Sequence, residues 1–131
     1  WNDPHDAAVR EITTGLKDVG LLKGRVPALI KSGGYRRFFM HRTGHWLGLD
    51  VHDVGDYKIG DQWRLLEPGM VMTIEPGIYV SPSEKGVPKR WRGIGIRIED
   101  DVLVTRDGPD VLTEGLASAA DDVERLMGAA A

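Results

Sequence analysis

Three of the four histidines in this 131-residue chain fall within the twelve residues His41-Arg42-Thr43-Gly44-His45-Trp46-Leu47-Gly48-Leu49-Asp50-Val51-His52. A lone histidine is usually a packed or solvated side chain. Three set among glycines and apolar residues point to metal binding or proton transfer. Their spacing is not the helical pair with an intervening Glu found in the common zinc proteases. If the segment is extended, His41 and His45 share a face, and His52 joins them only if Gly48 allows a bulge or bend. One or two of them are therefore candidates for direct ligation, and the others for proton donation or substrate contact.

Two carboxylates extend the set. The run Val71-Met72-Thr73-Ile74-Glu75 is apolar enough to be buried, and a buried carboxylate needs a cationic partner or a metal. Pro76 holds Glu75 extended, and Gly77 permits a sharp change of direction. Pairing with an arginine such as Arg97 or Arg92 is the simpler alternative. In Gly93-Ile94-Gly95-Ile96-Arg97-Ile98-Glu99, alternation sends the three isoleucines toward a core and Gly93, Gly95, Arg97 and Glu99 the other way. Glycine inside a strand often marks close approach of a ligand; the bland counterpart is a half-exposed strand with a surface Arg–Glu pair.

One His and two Glu make a carboxylate-rich set, and with no cysteine in the chain there is no thiolate. Such donors suit Mn²⁺ best, with Co²⁺, Zn²⁺ or Fe²⁺ also accommodated. Three ligands suffice for a mononuclear centre. A bridging carboxylate with further aspartates would instead hold two metals about 3.5–4 Å apart, as in aminopeptidases. Spacing alone does not choose between them.

The elements that must position these residues change character along the chain. Val9, Ile12, Leu16 and Val19 recur at helical spacing, with Asp3-Pro4 as cap and first turn, so a helix is expected from Pro4 to Val19, ending at Gly20. A short helix over Pro27–Lys31 ends at Gly33-Gly34. Strands are expected over Arg37–His41, Trp46–His52, Met70–Ile74, Ile78–Val80, Gly93–Glu99 and Val102–Thr105. Asp53–Glu67 and Ser81–Arg92 read as loops, Arg106–Pro109 as a turn, and Leu116–Met127 as a surface helix.

Composition sets bounds on function. The chain is 41% hydrophobic and 28% charged with net charge -3, which argues against nucleic acid as a partner, since that calls for a basic face. No apolar run is long enough to span a bilayer and no signal-peptide pattern opens the chain, so no membrane role is expected. The absence of cysteine fits a cytoplasmic protein. A helix that starts almost at the first residue suggests a piece of something longer.

Three blocks now resemble a known family in order and content: His41 to Asp53, Leu66-Glu67-Pro68-Gly69-Met70 through Tyr79, and Gly93 to Asp101. Together they are similar to the catalytic domain of the bacterial Xaa-Pro aminopeptidases (aminopeptidase P), members of the pita-bread metallopeptidase family with prolidase and methionine aminopeptidase. The resemblance implies an α+β, pita-bread (creatinase/aminopeptidase) fold, a curved antiparallel sheet with flanking helices, of which residues 1–131 would be the C-terminal half. It implies two divalent metal ions, with His45, Glu75 and Glu99 matching the His and two Glu ligands and Glu99 bridging. His41 and His52 match histidines that contact substrate and aid proton transfer, and Arg97 an arginine that orients the site. Glu75 would handle the proton while a metal-bridging hydroxide attacks the carbonyl before proline.

The family's two aspartate ligands lie upstream on a hairpin, and Asp3, Asp6 and Asp18 fall on or at the end of a helix instead. The bridging and terminal Asp, half of the domain and a separate N-terminal domain are therefore expected to be absent, leaving metal occupancy low and the fragment alone inactive. The partners implied are a peptide with proline in second position, the missing upstream half and, when intact, further copies of itself. A half-domain would also expose an apolar seam. Prolidase, which takes only dipeptides, is the nearest alternative; methionine aminopeptidase fits the Trp46–Asp53 stretch less well. A non-catalytic, protein-binding member of the fold would be expected to have lost ligands that are all filled here.

Overall fold

Residues 1–129 are described in the computed structural model of the chain. It opens with α1 (Asp3–Asp18) and α2 (Val26–Ser32). The buried positions of α1 are Val9, Thr13 and Leu16, a single face at helical period. Asp3 is not its cap. Asn2 holds that position without a side-chain bond, and Asp3 and Pro4 lie inside the first turn, where proline's missing N–H is not needed. Gly33 stops α2 by adopting a left-handed φ of 71°, which turns its N–H back onto the Ile30 carbonyl at 3.0 Å.

The strand expected over Arg37–His41 does not form. A 3-10 turn covers Gly34–Arg37, and the successive rings of Phe38 and Phe39 are 0% and 1% exposed. A strand with one solvent face could bury only one of two neighbours. Both join Val9, Leu16, Leu22, Tyr35 and Val80 in the core between the helices and the sheet. Trp46–His52 is a hairpin rather than one strand, with β1 (Leu47–Gly48) antiparallel to β2 (Val51–His52). The polar run after it also contains a hairpin, β3 (Lys58–Ile59) with β4 (Gln62–Trp63), turning at Gly60 with φ 59°.

The framework of the site is antiparallel. β5 (Val71–Ile74), β8 (Asp100–Thr105) and β9 (Gly108–Val111) form one sheet in the order β5-β8-β9, and β6 (Gly77–Tyr79) pairs with β7 (Gly95–Arg97). β5 pairs Ile74 with Asp100, and β6 pairs Gly77 with Arg97. The two ladders therefore carry a single register and are one bent ribbon. It is interrupted where Pro76 has no N–H to donate, although the Ile98 N–H still reaches the Pro76 carbonyl at 3.2 Å. This register sets Glu75 directly opposite Glu99.

The strand expected from Gly93 is confined to β7, and the isoleucines on its far side are not in a core. Ile94, Ile96 and Ile98 are 39%, 61% and 55% exposed. With Ile12, Leu16 and Val19 of α1 they line an apolar groove of about 380 Å³. Alternation placed them on one face correctly, but nothing among the described residues closes over it. The final helix, α3 (Ala120–Ala129), starts at Ala120 rather than Leu116, and its Val123, Leu126 and Met127 are exposed. Among the described residues, no helix is long and apolar enough to cross a membrane.

Candidate metal centre

His45 is delivered by a segment that runs along the edge of β5 left free by β8. The Thr73 N–H donates to the His45 carbonyl at 3.0 Å, the Glu75 N–H donates to the Thr43 carbonyl at 2.6 Å, and Trp46 bridges to Met72. The backbones pass so closely that a Cβ on Gly44 would overlap the Thr73 carbonyl oxygen. Glycine is thus required immediately before His45. The histidine itself is buried, and its Nδ1 lies 2.8 Å from the Trp46 carbonyl. A carbonyl only accepts, so Nδ1 carries the proton of that bond and Nε2 is the nitrogen turned toward the carboxylates.

His45, Glu75 and Glu99 each offer one ligand atom within 4.8 Å of the other two. His45 Nε2 is 3.3 Å from Glu75 Oε1. Arg97 lies between the acids, Nη2 at 3.0 Å from Glu99 Oε2 and Nη1 at 3.7 Å from Glu75 Oε2. Glu75 does pair with Arg97, then, but it faces the histidine as well. Like charges directly opposite on a ribbon repel, and one arginine between two carboxylates leaves a net negative centre. Glu99, and after it Glu75, raise the Arg97 pKa. Nitrogen and oxygen donors, a free imidazole Nε2 and residual negative charge together fit a hard or borderline divalent cation.

The remaining expected residues line the same cleft of about 540 Å³, which His41, His45, His52, Glu75 and Arg97 share with Trp63. The bend that His52 needed is the β1–β2 hairpin, in which Val51 takes a φ of 73° and the His52 ring comes 4.0 Å from that of His45. His41 does not share an extended face with His45. It is held by its Nδ1 on the Arg42 carbonyl at 2.6 Å and its Nε2 on the Tyr79 hydroxyl at 3.1 Å. The fourth histidine, His5, stands behind the site on α1 with Nδ1 2.8 Å from the Thr43 hydroxyl. Burial, and then the nearby Arg42, hold its pKa below the ordinary value.

Two residues of the site were missed in the sequence. Tyr79 is one: its ring lies against Gly77 and Gly95, so that a Cβ on either would press on it at 2.5 and 3.2 Å. The room beside Gly95 therefore goes to tyrosine rather than to a ligand. Thr73 is the other, fully buried and bonded to both His45 and Glu75. A signal for each was present, since both lie at even spacing from Glu75 and alternation puts them on its face.

Comparison with known proteins bears on what this arrangement belongs to. Metallopeptidase family M24 matches residues 2–106. The Xaa-Pro aminopeptidase of Haemophilus influenzae is 51% identical over 123 residues, 94% of this chain and 28% of that protein. The solved structure of Pseudomonas aeruginosa aminopeptidase PepP superposes with a TM-score of 0.94 at 58% identity, covering 99% of this chain and 29% of that one. Zn-substituted Escherichia coli aminopeptidase P in complex with product gives 0.84 at 51% identity, over 94% and 28%. The chain shares the α+β pita-bread fold of these structures while spanning under a third of their length.

Proposed function

The chain belongs to metallopeptidase family M24, and on that premise we propose that it is the C-terminal part of the catalytic domain of an Xaa-Pro aminopeptidase. Family membership implies divalent metal ions. His45, Glu75 and Glu99 would hold them, and the donor chemistry favours Mn²⁺. The observation that carries this reading is the convergence of those three side chains, from separate segments, within 4.8 Å. The bound metal would polarise the scissile carbonyl and raise the acidity of water.

The chain's own residues do the rest. Glu75 takes the proton released as water attacks and returns it to the leaving amine, a general acid–base role. His41 and His52, which both line the cleft, contact the substrate and assist proton transfer. Arg97, paired with Glu75 and Glu99, orients the ligand site and supports the substrate's end. The substrate class is a peptide with proline in second position. Two further aspartate ligands would come from an upstream half of the same domain, in an intact enzyme that is cytoplasmic and assembles from several copies.

The test is hydrolysis of an X-Pro-Y tripeptide with Mn²⁺, by this chain alone and by the chain joined to its upstream half. The expected result is no turnover alone and turnover when joined, lost again with His45→Ala. Full activity from the 131 residues by themselves would refute it. Comparing an X-Pro dipeptide with the tripeptide on the joined enzyme separates this activity from that of a prolidase.

A further inference from the structure

One buried polar side chain touches two members of the ligand set without belonging to it. Thr73 is 1% exposed, two residues before Glu75 on the same strand face. Its hydroxyl accepts the His45 backbone N–H at 3.0 Å and donates to Glu75 Oε1 at 3.0 Å. A hydroxyl has one proton to give, an amide can only donate, and an ionised carboxylate can only accept. The direction of both bonds is therefore fixed by chemistry.

One side chain thus ties together two proposed ligands that come from different segments. Glu75 Oε1, which takes the Thr73 proton, is also the oxygen 3.3 Å from His45 Nε2, while Oε2 faces Arg97. Each oxygen has its own neighbour, so the carboxylate is oriented by one hydrogen bond, from Thr73, and one ion pair, with Arg97, rather than left to free side-chain rotation. We propose that Thr73 is a positioning residue of the metal centre: its hydroxyl fixes the separation and orientation of His45 and Glu75 before any metal arrives. This rests on the reading of His45, Glu75 and Glu99 as ligands. Groups that orient first ligands in this way typically change metal affinity about 10–100-fold. The competing role is a β-branched filler of a strand, for which valine would serve equally well.

The experiment titrates the chain joined to its upstream half, and the Thr73→Ser, Thr73→Ala and Thr73→Val variants of that joined enzyme, with Co²⁺ to millimolar concentration. Affinity and the visible absorption bands are followed, with thermal unfolding of each metal-free form as a control. Thr73→Ser should bind Co²⁺ like the unsubstituted enzyme with the same bands. Thr73→Ala and Thr73→Val should bind about 10–100-fold more weakly with shifted bands. Ser and Ala lack the same methyl, so their difference isolates the hydroxyl even if the Val variant does not fold. Equal affinity in Ser and Ala, or unaltered binding by a folded Val variant, would overturn the role of Thr73. Failure of the joined, unsubstituted enzyme to bind Co²⁺ would instead overturn the ligand set itself.

Discussion

The two faces of the β6–β7 ribbon are built to different degrees of completeness. On one, Glu75 and Glu99 stand opposite each other and Arg97 bonds to both. On the other, Ile94, Ile96 and Ile98 form the floor of an open groove with α1. Charges can be settled locally, by an ion pair, a hydrogen bond or water. Apolar surface gains only when a second surface displaces the water, and an exposed patch of this kind marks a place where something else packs. The chemical face is therefore legible in this chain alone, whereas the apolar face is left open among the described residues.

Substitutions on the two faces should accordingly fail in different assays. Glu75→Gln keeps the shape but removes the proton acceptor and a ligand charge. In the joined enzyme kcat should fall about 10²–10⁴-fold, with the unfolding of this chain little changed. Gly44→Ala forces a methyl group against the Thr73 carbonyl. It should cost about 3 kcal/mol in chemical denaturation, and His45 should lose its place with it. Ile96→Asp, on the open face, should alter the stability of the isolated chain by only about 0.5 kcal/mol. Yet it should prevent recovery of activity when the upstream half is added; unimpaired recovery would show that the groove is not that junction.

The smallest effect concerns His5, behind the chemical face. Because burial and Arg42 lower its pKa in the folded chain from 6.5, the unfolded chain takes up the proton first as pH falls. The stabilisation is whole above pH 6.5 and is lost progressively as pH drops toward the lowered folded value. His5→Gln should flatten that slope in denaturation curves measured across the range.

The same contrast governs what could be read from the sequence. Pro76 and the alternation around it made Glu75 and Glu99 stand out, because those signals are local. Their placement directly opposite each other depends on ladder register, which no single strand encodes. Phe38-Phe39 looked like a strand because aromatic pairs favour one, but tertiary burial of both rings overrides that preference. Ile94, Ile96 and Ile98, in and beside β7, were assigned the right face and the wrong environment, since periodicity tells direction and not what lies beyond. Thr73 and Tyr79 were passed over for a further reason: threonine and tyrosine are ordinary strand formers, and only their contacts distinguish them.

Anomalous diffraction from crystals of the chain joined to its upstream half, soaked in Zn²⁺, would address the ligand set most directly. A peak should appear about 2.0–2.2 Å from His45 Nε2 and from one oxygen each of Glu75 and Glu99. Zn²⁺ bound elsewhere, or Glu75 and Glu99 left paired with Arg97 and no metal between them and His45, would show that they are an ion-pair network and not a metal centre.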